Sequence, residues 1–272
     1  MTATVTPRGT LGPRVLPVLG ARHWRVVERN FLVYRRGWVV FVSGMLEPIL
    51  YLLAIGVGVG GLVGHFTLGD GTRVGYVEFV APAMLATSAM NGALFDATYN
   101  IFFKMKYAKL YDAMLATPLR PGDVARGEIT WALLRGACYS LVFIGVMLAM
   151  GLVSSWWMLL ALPATMLIGY AFAGAGMALT TWMRSWQDFE FVQLAIMPMF
   201  LFSATFYPIS TYPDAIQWVV RCTPLYQGVS LLRGMALGTL GWSALLSVAY
   251  LAAMGTVGLL VAGRRVGVLL LK

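Results

Sequence analysis

Between residues 39 and 262 the chain carries about six long apolar stretches, and its strongly basic segments gather on one side of them. A bilayer core takes roughly 20 apolar residues per helical span, so each stretch is a candidate crossing. With 59% of residues hydrophobic and 11% charged, a soluble domain of 272 residues would lack the charge to cover its surface. The expected spans are 38–63, 76–103, 129–153, 157–183, 191–207 and 242–262. Only helices or closed barrels satisfy their backbone in lipid. These runs are too long and too uniformly apolar for barrel strands, which alternate over roughly ten residues. The fold class is therefore an all-α membrane protein of six transmembrane helices.

The basic residues set the orientation. Arg8, Arg14, Arg22, Arg25, Arg29, Arg35 and Arg36 precede the first span. Lys104, Lys106, Lys109, Arg120 and Arg126 follow the second, Arg184 follows the fourth, and Arg264, Arg265 and Lys272 follow the last. The opposite side has Arg73, Arg221 and Arg233. By the positive-inside rule both termini are cytoplasmic. The expected organisation is a cytoplasmic segment over 1–37, one membrane domain of six spans over 38–262 and a cytoplasmic tail over 263–272. The first 37 residues hold no apolar run long enough for a cleavable signal, so the first span is expected to act as an uncleaved one. The net charge of +9 sits at the ends of apolar runs, where it meets anionic headgroups, and so does not indicate nucleic acid.

Three connecting segments carry local structure of their own. Residues 21–36 read as an amphipathic interfacial helix, with Trp24, Val27, Phe31, Tyr34 and Trp38 at helical spacing. It is either a basic anchor or a surface for a cytoplasmic partner, through Arg25 and Arg29. After the second span, Tyr107, Leu110, Tyr111, Met114 and Leu115 form a short apolar stripe that Pro118 ends, and Asp123 suits the first turn of the next helix. A bare loop does not need such a stripe, whereas docking into a groove on another protein does. Before the last span, Pro213 with Asp214, and Thr223 with Pro224, are helix-start signals for two short helices on the outer face or dipping into it.

Catalytic motifs are missing. The run Gly56-Val57-Gly58-Val59-Gly60-Gly61 matches a dinucleotide fingerprint in letters but closes a membrane span, so close packing through Gly56, Gly60 and Gly64 is the better reading. No phosphate-binding loop occurs, so any ATP and Mg are bound by another subunit and this chain binds no cofactor. Cys138 and Cys222 have no metal spacing, and His23 and His65 fall on opposite membrane sides. Polar groups inside spans are expensive. Glu47, before Pro48, and Asp96 either pair structurally or line a substrate path, while Arg135 is expected to snorkel to headgroups. Phe95, Phe102, Phe200, Phe202 and Phe206 are the apolar candidates for that path.

From about residue 24 to 263 the chain resembles the membrane subunits of type-2 ATP-binding-cassette exporters, in particular the nodulation lipo-oligosaccharide and daunorubicin-resistance permeases. The likeness rests on RNFLVYRR, EPILYLLAIGVGVGGLVG and FVAPAMLATSAMNGALFDATY, then YDAMLATPLRPGDVARGEITWALLRG, FLFSATFYPIS and TPLYQGVSLLRGMALG, in that order. The resemblance implies a six-span plasma-membrane permease that forms a homodimer, contacts lipid and is driven by separate ATP-binding-cassette ATPase subunits. It further implies that the N-terminal helix and the loop around Tyr111 and Asp123 contact the ATPase. The substrate would be amphipathic, a lipid-linked glycan or a hydrophobic drug. The alternative is an ATP-independent secondary transporter, which usually shows paired repeats; none is evident here.

Overall fold

The computed structural model describes residues 22–67, 71 and 73–270; the side chains of 40, 41, 45, 47, 57, 66 and 270 are not described. The chain is helical almost throughout. Its order is α1 (Arg22–Arg36), α2 (Trp38–Gly58), α3 (Gly60–Val63), the strands β1 (His65–Thr67) and β2 (Arg73–Gly75), α4 (Tyr76–Phe95), α5 (Leu110–Leu115) and α6 (Pro121–Ala149). Then come α7 (Ala161–Thr180), α8 (Phe189–Phe202), α9 (Asp214–Cys222), α10 (Pro224–Leu237) and α11 (Trp242–Leu270). The all-α expectation needs one amendment: β1 and β2 pair antiparallel as a small hairpin between α3 and α4.

Among the described residues four stretches are long and apolar enough to cross a membrane: Val42–Val63, Pro121–Ala149, Trp156–Thr180 and Trp242–Leu269. Two expected spans fall outside that description, for different reasons. α4 holds Glu78, Thr87, Ser88 and Asn91, and its middle is buried from Phe79 to Thr87. A helix wrapped by protein need not be apolar all round, because lipid does not touch it. α8 has only 14 residues, about 21 Å of helix against a hydrocarbon core of about 30 Å. The chain then leaves the helix, with Ala204 at a left-handed φ of 56°.

The helix ends follow local chemistry. α6 starts at Pro121, eight residues before the expected span, because proline at a first helical position costs no hydrogen bond. Asp123 accepts from the Arg120 backbone amide at 3.2 Å and closes that end. α10 starts where Thr223 Oγ1 accepts from the Tyr226 amide, as its sequence predicts. It dips into the bundle, with Leu225, Val229 and Leu232 buried there. α11 runs to Leu270, so 263–270 continues the last helix and packs Gly263 by Gly122 and Gly267 by Pro121.

The tightest packing lies between α7 and α11. A Cβ on Gly174 would meet the Gly255 carbonyl, one on Gly255 would meet the Tyr170 ring, and one on Gly258 would strike the Gly174 backbone. Small residues let membrane helices approach this closely. The glycine run singled out in the sequence contributes less. Gly60 faces Val77, but Gly64 is a turn residue at φ 66° with open space around it.

Candidate functional site

One end of the bundle is built around a buried polar cluster. Lys104 Nζ lies 2.7 Å from Glu128 Oε2, Asn30 Nδ2 donates to the same oxygen at 3.0 Å, and Lys104 also donates to Asn30 Oδ1 at 3.2 Å. These residues come from α1, from the turns after α4 and from α6. The turns are wound wide: the Ala108 amide reaches back to the Phe103 carbonyl, five residues earlier, which is a π-type turn. Lys104 therefore turns inward instead of serving only as a topological charge. α1 reaches α6 because Gly127 has no side chain, and a Cβ there would strike Val26 and the His23 carbonyl.

α5 hangs from this cluster by Tyr111, which is fully buried and faces the Glu128 carboxylate outside hydrogen-bond geometry. Burial pushes the phenol well above its ordinary range, and the nearby Glu128 charge adds to this, so Tyr111 stays neutral. Tyr111, expected to face a partner, is here buried on the chain's own core and holds α5 on the bundle. Leu110, Met114 and Leu115 are half-buried on the same core. Lys109, at φ 46°, makes the tight reversal that starts α5. The surface left open includes Tyr107 and Arg25, whose guanidinium pairs with Glu28 at 3.0 Å. Arg29 is turned partly inward and donates to Asn30 Oδ1. Arg22 donates to the Pro118 carbonyl at 3.0 Å and ties α1 to the segment after α5. On α1, Val26, Val27 and Asn30 are buried against the bundle, while Trp24 and Phe31 are exposed.

Two turns further along α6 lies the second cluster. Arg135 Nη2 sits 2.6 Å from Asp96 Oδ1, Arg135 Nη1 donates to Tyr34 Oη at 3.0 Å, and the guanidinium lies over the Tyr34 and Tyr139 rings. Arg135 therefore does not snorkel. A buried carboxylate holds it inside, and Asp96 is structurally paired.

Arg135 and Tyr139 close one end of a cleft of about 460 Å³. α2 contributes Ser43, Pro48 and Tyr51, and α4 contributes Met84, Ser88, Asn91 and Phe95. Phe200 of α8 completes the wall. Hydroxyl and amide groups alternate with apolar surface, a lining suited to an amphipathic molecule. Of the expected path residues, Phe95 and Phe200 line this cleft. Phe102 is buried among Tyr107, Trp186 and Phe189 and lies off it. Phe206 packs on Phe200, and Phe202 faces Tyr212. The backbone of Glu47 belongs to α2, but its side chain lies outside the described residues.

Sequence reasoning missed two interior groups, Glu128 and Arg233. Glu128 was within reach, since an acidic residue in the first turns of an apolar run calls for a partner. Arg233 stands beside the broken end of α8 and donates to the carbonyls of Phe79 at 3.2 Å and Ala204 at 2.8 Å. No linear pattern marks that role. Among the described residues no group of three His, Cys, Asp or Glu side chains could hold a metal.

Residues 23–237 match the ABC-2 type transporter family. The chain is 36% identical over 231 residues to nodulation protein J of Rhizobium leguminosarum bv. viciae, covering 84% of this chain and 87% of that protein. It is 35% identical over 227 residues to nodulation protein J of Rhizobium meliloti strain 1021, with 82% and 84% covered. The same protein of Bradyrhizobium diazoefficiens is 32% identical over 227 residues, again with 82% and 84% covered.

Proposed function

The chain belongs to the ABC-2 type transporter family, a family of membrane transport permeases and not of catalysts, and we propose that it is the permease of an ATP-driven exporter. In this reading α2 with α3, α4, α6, α7, α8 and α11 make six crossings of the plasma membrane. Both termini, α1 and α5 face the cytoplasm, in keeping with the basic residues there. A separate ATP-binding-cassette subunit binds ATP and Mg, two permease copies form the dimer, and lipid surrounds them. The cargo is amphipathic, a lipid-linked glycan or a hydrophobic drug, and moves outward.

The observation that carries this reading is the mounting of α5. It is a six-residue helix half-buried along Leu110, Met114 and Leu115, and Tyr111 roots it beside the Lys104–Glu128 pair. A push on α5 from an ATPase therefore reaches the start of α6 without being absorbed by a soft loop. Arg135 lies seven residues along from Glu128, about 10 Å on the same helix, and its bond to Asp96 passes the displacement to α4 and the cleft wall. Such a linked pair of helices is what alternating access between two arrangements requires.

The test is transport by inside-out vesicles holding the chain with a co-expressed ATPase subunit and a labelled amphipathic glycolipid. Uptake that needs ATP and both subunits is expected. Uptake by the chain alone under a proton gradient would overturn the proposal in favour of a secondary transporter.

A further inference from the structure

A second cavity, of about 300 Å³, opens at the hairpin end of the bundle, away from α1 and α5, where α10, the start of α4, the segment after Ala204 and the start of α11 meet. Arg233 is its one described cationic lining residue. Two other cations turned into the bundle have carboxylates: Lys104 has Glu128, and Arg135 has Asp96. Arg233 has none among the described residues. Its Nε donates to Phe79 O, and its Nη2 donates to Ala204 O and Thr205 O, while the guanidinium stacks 3.7 Å from the Phe79 ring centroid. These carbonyls and the ring satisfy donors and offer partial charge, but they leave the guanidinium without a carboxylate partner among the described residues. The two N–H groups of Nη1 have no acceptor among the described residues and are not sealed from the cavity.

The rest of the lining complements that charge. The side-chain hydroxyls of Ser230 and Tyr226, on the same helix as Arg233, make no hydrogen bond among the described residues. A guanidinium already fixed on one edge, with its other edge open beside free hydroxyls, fits the geometry of an oxyanion that accepts several bonds at once. We infer that this cavity binds an oxyanion of the phosphate or sulfate class through Arg233, with Ser230 and Tyr226 as hydroxyl donors. The anion comes either from a lipid headgroup or from a free ion in the medium. The site is independent of ATP-driven export, because it is defined on the permease alone.

The experiment uses the full chain purified in an uncharged detergent. Its thermal midpoint is followed against inorganic phosphate, with chloride holding the ionic strength constant, and phosphatidic acid retention is read by native mass spectrometry. A midpoint that rises with phosphate identifies a free-ion site, and retention of phosphatidic acid alone identifies a lipid site; either supports the inference. Arg233→Gln is expected to weaken the binding at least about tenfold, the equivalent of losing a charged hydrogen bond. Should that variant fail to fold because Ala204 loses its donor, Ser230→Ala with Tyr226→Phe leaves every backbone bond of Arg233 in place. That pair is expected to weaken binding severalfold with the ligand-free midpoint unchanged. No response to either probe beyond chloride, or undiminished binding in the Ser230→Ala, Tyr226→Phe protein, would show Arg233 to be only a clamp on broken backbone.

Discussion

Arg135 and Asp96 meet at 2.6 Å inside the bundle, one from α6 and the other from the first turn beyond α4, and Tyr34 of α1 shares the guanidinium. Three segments distant in sequence thereby converge on one charge pair at the closed end of the cleft. Breaking such a pair from one side leaves a buried charge without its partner, typically at a cost of about 3–5 kcal/mol, whereas removing both charges costs far less. Asp96→Ala is thus expected to lower the thermal midpoint and folded yield sharply. Asp96→Ala with Arg135→Met should recover most of the loss. A double variant as unstable as the sum of the singles would refute the coupling.

Tyr111 separates anchoring from docking. Tyr111→Ala empties a fully buried ring site, and such truncations cost about 3–5 kcal/mol. Tyr111→Phe keeps the buried ring and removes only the hydroxyl that faces Glu128, so it should cost far less stability than Tyr111→Ala. Tyr107→Ala alters an exposed ring and is expected to leave the midpoint unchanged while reducing co-purification of an ATPase subunit. Calorimetry or fluorescence-detected melting of the three variants, with a pull-down, gives both readouts.

The α7–α11 seam tolerates no added carbon. Gly258→Ala places a methyl against the Gly174 backbone, which cannot move aside as a side chain could, and the folded, monodisperse fraction is expected to fall. Gly136→Ala is the control. Its Cβ meets nothing within 4 Å in the middle of α6, so it should gain about 0.5–1 kcal/mol from helix propensity. Size-exclusion profiles after a heat step distinguish the two.

Asp188 gives a pH dependence with a defined sign. Its carboxylate accepts from the Arg184 amide at 2.6 Å and the Ser185 amide at 3.1 Å, in the turn that leads into α8. These backbone bonds hold its pKa below the ordinary 3.8. A carboxyl depressed in the folded state stabilises the turn fully above that ordinary value and loses its contribution as the pH falls through the lower folded value. Protection of the Arg184 and Ser185 amides, measured by hydrogen exchange and corrected for intrinsic rates, is expected to drop on acidification below about pH 4. Asp188→Asn should show weaker protection at neutral pH and no such step.

How far the sequence could be read depended on the range of the cause. Pro213, Thr223 and Pro121 start α9, α10 and α6 because capping and proline geometry act within one turn. α4 and α8 were harder to judge. A helix wrapped by protein admits Ser88 and Asn91, and α8 gives way to irregular chain at Phe202. Hydropathy measures contact with lipid and registers neither condition. Of the expected path residues, Phe95 and Phe200 reached the cleft and Phe102 did not, since a helical face is known from the sequence only once its neighbours are known.

By itself the sequence determined that this chain is made of membrane-length apolar helices with basic ends, because water, lipid and local backbone bonding act on every short segment directly. The tertiary structure decided which polar groups those helices hide and with whom: Lys104 with Glu128, Arg135 with Asp96, Tyr111 as a root, Arg233 on the carbonyl of Ala204. A charge inside a low-dielectric bundle must find its partner wherever packing brings one, and packing joins residues that no local pattern connects.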